Sequence, residues 1–279
     1  MKKYATIILF ILLGSACTRS QGWFKVTETT PKTWTISDNG SDNMYLVEGR
    51  DSALLIDTGL GSADIASLAG SLTNKPLIVL NTHAHPDHSG GNYQFEKIYI
   101  HPEDIEAART YNPSSGGNTS ARQGSKPPEN ELFKGKPFDT KILPLDDGRI
   151  FDLGGRRIQV IYAPGHTPGE ICLLDIDNKV LFTGDNTNSL VWLFLPNCKP
   201  LHEYLTTLEM LDSRSNEYFT IMPGHGTPLP AGFIKDQIAC VKGILSNTIE
   251  SKPYESSFSG TARVSEYGSA SVVFNPENL

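Results

Sequence analysis

Apolar residues fall in short runs along this chain, and turn residues punctuate them. Trp34-Thr35-Ile36, Asn43-Met44-Tyr45-Leu46-Val47 and Ala53-Leu54-Leu55-Ile56 read as strands, with Asp38-Asn39-Gly40 and Glu48-Gly49-Arg50-Asp51 turning between them. The period then changes. From Ala63 to Leu72, the residues Ile65, Leu68, Ala69 and Leu72 share one face of a helix. Leu77-Ile78-Val79-Leu80 and Ile98-Tyr99-Ile100 are strands again, and Pro102 to Arg109 predicts a short helix. Residues 111–137 are rich in Gly, Ser, Asn and Pro, which predicts a long loop, either a lid over a site or an excursion. Strands return after Ile142, at Arg157 to Tyr162, Glu170 to Leu174, Val180 to Asp185 and around Ile221. His202 to Ser213 and Ala231 to Leu245 predict helices. Strands and helices alternate in both halves, and no short-period repeat is visible.

The N-terminus departs from this pattern. Met1-Lys2-Lys3 is basic, Ala5 to Leu13 is too short to span a bilayer as a mature helix, and Gly14-Ser15-Ala16-Cys17 follows. Residues 1–17 read as an export signal. Cleavage after Ala16 would release a soluble product. Cleavage with lipidation of Cys17 resembles a lipoprotein box, with Gly14 where Leu is usual. The expected location is therefore the periplasm or envelope, with a lipid anchor as the one membrane contact. Residues 18–279, about 260 in all, suit one large domain.

A net charge of −7 and a pI near 5.5 argue against a nucleic-acid partner, which would need a basic face. Cys172, Cys198 and Cys240 fit no zinc-knuckle spacing. Cys172 reads as a small core residue, while Cys198 and Cys240 are candidates to pair in an oxidising compartment.

Chemistry concentrates in His83-Ala84-His85-Pro86-Asp87-His88, directly after an apolar strand. Three of the chain's seven histidines lie in this hexapeptide. His offers a neutral nitrogen and Asp an anionic oxygen, both suited to a borderline cation such as zinc. Three more candidates follow: His166 in Ala163-Pro164-Gly165-His166-Thr167-Pro168-Gly169, Asp185 ending Val180-Leu181-Phe182-Thr183-Gly184-Asp185, and His225 in Pro223-Gly224-His225-Gly226. Each sits where a rigid strand gives way to a turn.

This order of ligands resembles the metallo-β-lactamase superfamily of hydrolases, over about Trp34 to Ile244. The resemblance implies a mixed α/β (α+β) fold, a four-layer αββα sandwich. It implies one metal held by His83, His85 and His166, a second held by Asp87, His88 and His225, and Asp185 bridging both. Two Zn2+ are expected, with iron or manganese as alternatives. A hydroxide shared by the metals would attack the carbonyl of a small ester, lactone or cyclic amide. Asp87 is placed to orient that hydroxide and pass a proton to the leaving group. Asp57, in Leu54-Leu55-Ile56-Asp57-Thr58-Gly59, either supports the metal loop or simply forms a turn.

Departures from subfamilies narrow this reading. The bridging Asp counts against a dedicated β-lactamase, and Asn188 stands where lactonases of this fold usually carry Tyr. His85 stands where the diiron flavoproteins carry Glu. The remaining alternatives are β-lactamase-like activity, a mononuclear iron persulfide dioxygenase and a non-catalytic metal-binding envelope protein. The substrate is expected to be a small molecule. In Leu190 to Leu195, after the bridge, Trp192 and Phe194 either wall the substrate site or pack as core, and Asn188 is a candidate donor to a carbonyl oxygen. His101 and His202 read as structural. Oligomeric state is left open.

Overall fold

The computed structural model describes residues 18–111, 127–256 and 261–279. Residues 1–17, read from the sequence as an export signal with Cys17, and most of the long loop lie outside the described residues.

The first half builds one eight-stranded sheet whose spatial order follows the chain. Its strands are β1 (Thr18–Gln21), β2 (Phe24–Thr30), β3 (Thr33–Ser37), β4 (Asn43–Glu48), β5 (Ala53–Ile56), β6 (Leu77–Leu80), β7 (Lys97–Ile100) and β8 (Lys141–Pro144). Pairing is antiparallel up to β5 and parallel from there on. A parallel neighbour requires a crossover. Helix α1 (Ile65–Leu72) supplies the first, with Asp64 capping it by accepting from Ser67 N. The one-turn helix α2 (Pro86–Ser89) lies between β6 and β7, and α3 (Ile105–Tyr111) follows β7.

In the second half, β9 (Ile150–Asp152), β10 (Arg157–Tyr162), β11 (Ile171–Asp175) and β12 (Val180–Gly184) form antiparallel neighbours. The chain then leaves through β13 (Leu190–Leu193) and α4 (Leu201–Ser213). It returns as β14 (Thr220–Pro223), parallel to β12, and closes with β15 (Leu229–Pro230). Helix α5 (Phe233–Leu245) follows, then β16 (Lys252–Pro253), β17 (Arg263–Tyr267) and β18 (Ala270–Phe274).

Three apolar layers show how the sheets stack. Ile36, Met44, Leu46, Leu55 and Val79 of the first sheet pack with Ile65, Leu68 and Ala69 of α1. Tyr45, Val47, Leu54, Ile56 and Leu80 meet Ile158, Val160, Ile171, Leu173 and Phe182 between the sheets. Ile161, Cys172, Leu174 and Leu181 pack outward against Leu201, Tyr204 and Leu208 of α4 and Ile234 and Val241 of α5. Alternate residues of one strand thus serve different layers, as the period of two demands. Helix, sheet, sheet, helix is the αββα sandwich expected from the sequence.

Three features differ from the sequence reading. Within the run Leu190 to Leu195, β13 covers Leu190–Leu193 and pairs in parallel with β18, in a separate small sheet with the C-terminal hairpin that the sequence reading did not foresee. The described end of the long loop is ordered: Glu129–Glu131 forms a 3-10 turn, and Leu132 bridges to Ala63 at the start of α1. Cys198 and Cys240 are both free and buried, their thiols turned to the Trp192 and His166 carbonyls and to the Ser265 carbonyl respectively.

Candidate metal centre

Antiparallel pairing of β10 with β11 and of β11 with β12 makes β10 and β12 run the same way, and β14 joins them in parallel. Their C-terminal ends therefore share one edge of the sheet. His166, Asp185 and His225 leave from that edge. From the other sheet, β6 ends at Leu80 and releases Asn81 to His85, after which Pro86 opens α2. Proline suits that first helical position because its missing N–H has no helical acceptor to lose.

The seven predicted ligands converge. Among the described residues, three groups are spaced to hold a cation: His83, His85 and His166; His83, His88 and Asp185; and Asp87, His88 and His225. His85 Nδ1 lies 2.8 Å from His166 Nε2, and His88 Nε2 lies 3.4 Å from His225 Nε2. Asp185 stands between the groups. Its Oδ1 is 3.4 Å from His88 Nε2, and its Oδ2 is 3.5 Å from His166 Nε2 and 3.2 Å from His225 Nε2. Asp87 Oδ2 is 3.4 Å from His225 Nε2.

The outer ring nitrogens show which way the lone pairs point. His88 Nδ1 donates to Asp57 Oδ2 at 2.9 Å, His166 Nδ1 to the Trp192 carbonyl at 2.6 Å, and His225 Nδ1 to the Ser41 carbonyl at 2.7 Å. His83 Nδ1 lies 3.1 Å from Thr82 Oγ1. A proton fixed on the outer nitrogen leaves the inner one free to ligate. His83 Nε2 is sealed from water and has no partner within the protein. A buried polar atom without a partner is costly, and a cation would satisfy it. Five imidazoles and two carboxylates fit a pair of borderline divalent ions.

Burial and charge act together here. Burial, reinforced by His88 and His85, pushes His83 well below the usual imidazole range. Burial and the neighbouring His166 bring His85 down to about 3. For His88, burial favours the neutral ring, but Asp185, Asp87 and Asp57 outweigh it and raise the group. His225 is raised likewise, by Asp185 and Asp87. Burial opposes the charged forms of Asp87 and Asp185, yet the facing His88 and His225 hold both below the usual carboxylate range.

Several supporting residues act through contacts distant in sequence. Asp57 is buried, has a φ of 64°, and accepts from Thr82 N at 2.7 Å and Thr82 Oγ1 as well as from His88. It supports the loop from Thr82 to His88 rather than only forming a turn. Asn188 is buried with both ends occupied: Nδ2 donates to Asp185 Oδ1 at 3.1 Å, and Oδ1 accepts from His225 N at 3.2 Å. It therefore ties the Asp185 carboxylate to the His225 backbone. Asn43 Nδ2 and Tyr45 OH donate to the Pro223 carbonyl and anchor the His225 loop. A Cβ on Gly224 would collide with Asp185 and lie 2.8 Å from His88 Cε1, so this position needs glycine. Sequence reading missed Asn43, Tyr45 and Asp104. Asp104 had no local signal, because its partners lie twenty or more residues away.

Phe194 is 4% exposed and packs with Ala262 and Val273, while Trp192 is half-buried against Phe194 and Tyr254. His101 stacks on Tyr162 at 4.3 Å and accepts from Glu103 N. His202 Nδ1 bonds the Leu279 carbonyl. Neither histidine joins the cluster.

Comparison with known proteins agrees with this geometry. The family model described as the metallo-beta-lactamase superfamily matches residues 38–225. The human acyl-coenzyme A thioesterase MBLAC2 is 33% identical over 205 residues, which covers 66% of this chain and 72% of that protein. The lactamase-like protein nscB of Neosartorya fischeri is 28% identical over 220 residues, 75% of this chain and 57% of that protein. A metallo-beta-lactamase structure from Pontibacter korlensis aligns with a TM-score of 0.58 at 20% identity, over 78% of this chain and 99% of that one. The matched span runs from Asp38 to His225 and so takes in every residue of the cluster; the chain belongs to the metallo-β-lactamase superfamily of hydrolases.

Proposed function

We propose that the protein is a dinuclear zinc hydrolase that opens a small ester, thioester, lactone or cyclic amide. One observation carries this reading: the Asp185 carboxylate reaches candidate ligands of both metal groups, His166 of the first and His88 and His225 of the second. A structural zinc needs four closed ligands, whereas seven ligands sharing one carboxylate suit two ions with open positions. Thioesters are the first class to test, because the human and bovine relatives are named acyl-coenzyme A thioesterases.

Bound there, two divalent ions supply an acidified water as nucleophile and a Lewis acid for the carbonyl oxygen. The chain's own residues do the rest. His83, His85 and His166 would hold one ion, and Asp87, His88 and His225 the other. Asp185 would serve both, and Asn188 holds its carboxylate in place. Asp87 is about a third exposed at its side chain, the most open of the carboxylates in the cluster. It is placed to accept a proton from the nucleophile and return it to the leaving alkoxide, thiolate or amine.

Purified protein is expected to contain about two zinc ions per chain and to turn over members of a panel of thioesters, esters, lactones and β-lactams. One tightly held iron, with no hydrolysis after zinc loading, would replace this reading with an oxidative one. Export completes the proposal. Lys2-Lys3, the apolar run and Cys17 favour an envelope lipoprotein. A palmitate analogue should label the wild type and spare Cys17→Ser; an unlabelled wild type would leave soluble export.

A further inference from the structure

We infer that Asp104 is a positioning residue that locks the first metal site, by gathering in one carboxylate the two loops that carry His83, His85 and His166. The inference rests on the dinuclear reading and adds to it a residue on neither ligand loop.

Asp104 ends the 3-10 turn Pro102–Asp104 after β7 and is 2% exposed. Its Oδ2 accepts from Ala84 N at 2.9 Å and from Thr167 Oγ1 at 2.8 Å. Its Oδ1 accepts from Gly169 N at 2.8 Å. Ala84 lies between His83 and His85, and Thr167 directly follows His166. These two loops belong to different sheets, and one carboxylate ties them. The approach is tight. A Cβ on Gly169 would lie 2.6 Å from Asp104 N and 2.7 Å from its Cγ, so glycine lets the His166 loop close onto the carboxylate.

The three donors require an acceptor at both oxygens. An ionised carboxylate is acceptor-only and meets that need. An amide cannot: whichever way Asn is turned, its NH2 faces the N–H of Ala84 or of Gly169. Substitution to Asn keeps the shape yet replaces one of the three bonds, to Ala84 N or to Gly169 N, by two facing donors. The donors bear on the His83, His85 and His166 group, while His88 is held separately by Asp57. The consequence is therefore expected at one metal and not the other. Outer-shell partners of metal ligands typically change affinity about 10–100-fold when removed.

The test uses the full metal-free chain titrated with Co2+, followed by visible absorption and calorimetry. Wild type should bind two ions. Asp104→Asn should weaken one binding step about 10–100-fold and leave the other in place. Thr167→Val removes one donor, keeps the carboxylate, and should weaken the same step less. If Asp104→Asn does not fold, Thr167→Val decides alone: weakening of one step supports the inference, and two unchanged steps overturn it. Equal weakening of both steps, with a lower melting temperature of the metal-free protein, would make Asp104 merely structural and also overturn it. Wild type binding fewer than two ions would instead overturn the dinuclear reading itself.

Discussion

The Nδ1 of His166 lies 2.6 Å from the backbone carbonyl oxygen of Trp192. A candidate metal ligand is thus oriented by the backbone of a strand of the small third sheet. That carbonyl is present whatever side chain residue 192 carries. The Trp192 indole and the Trp192 carbonyl can therefore be separated by mutation.

Trp192→Ala should keep metal content near the wild-type value and raise KM or reorder a substrate panel, because the indole is only half-buried and His166 is met by the Trp192 carbonyl, not by the ring. Phe194→Ala should behave differently. Its ring is 4% exposed among Ala262, Val273 and Tyr254. Its removal should cost about 3–5 kcal/mol of stability. Melting temperature, metal analysis and a substrate panel on both variants check this. Loss of stability in both, with unchanged KM ratios, would remove Trp192 from the substrate site.

Asp185→Ala should lower metal occupancy and activity together. Its two oxygens serve both groups of ligands, so no single site is left intact. Lewis-acid stabilisation is worth several kcal/mol, so kcat/KM should fall by about 100-fold or more. Two ions retained with near-normal turnover would show that another residue bridges.

What was legible in the sequence follows from how local each signal is. His83 to His88, His166, Asp185 and His225 were found because each sits at a strand end marked by its own apolar run and Gly or Pro turn. Asp104 was not, because its meaning lies in donors at Ala84, Thr167 and Gly169, which only the folded chain assembles. For Asn188, the position beside Asp185 was visible, but its bond to the His225 backbone was not. Strand β9 spans three residues, too few for a period. The C-terminal hairpin did carry a signal that went unread. Val264 and Val272 flank Gly268, whose φ of 58° suits the turn. Without that hairpin, the sequence left Leu190 to Leu195 open between a substrate wall and a core strand and named no pairing partner for it.

Asp57→Asn isolates a side-chain effect. Asn tolerates the positive φ of 64° at this position nearly as well as Asp does, so backbone strain is little changed. The amide cannot accept from His88 Nδ1 and from Thr82 at both oxygens. Unpairing a buried partner should cost about 1–3 kcal/mol, and affinity at the His88 site should fall about 10–100-fold. Thermal unfolding of the metal-free protein and calorimetric zinc titration measure the two effects. Unchanged zinc affinity would return Asp57 to an ordinary turn residue.

Metal loading should release protons near neutral pH. In the metal-free protein His88 and His225 are raised above the ordinary imidazole value, since Asp185 and its neighbours outweigh burial. A raised group keeps its proton to higher pH, and a metal binds only the neutral ring. The proton and the ion therefore compete, and affinity should climb as pH rises and fall as pH drops. Asp87 and Asp185 contribute no proton at neutral pH, because both carboxyls are held below their usual range and are already ionised. His85, brought down to about 3, is already neutral as well. The imidazole share of the release should come from the His88 and His225 side of the cluster, beside the proton given up by the metal-acidified water. Zinc titration calorimetry at pH 7 in two buffers of different ionisation enthalpy reads the proton count directly. Apparent enthalpies should differ between buffers in the sense of proton release. His225→Ala should reduce that difference. Identical enthalpies in both buffers would mean that both imidazoles are neutral before the metal arrives, and would remove the charged pairing of His88 and His225 with Asp185 from the description of the metal-free site.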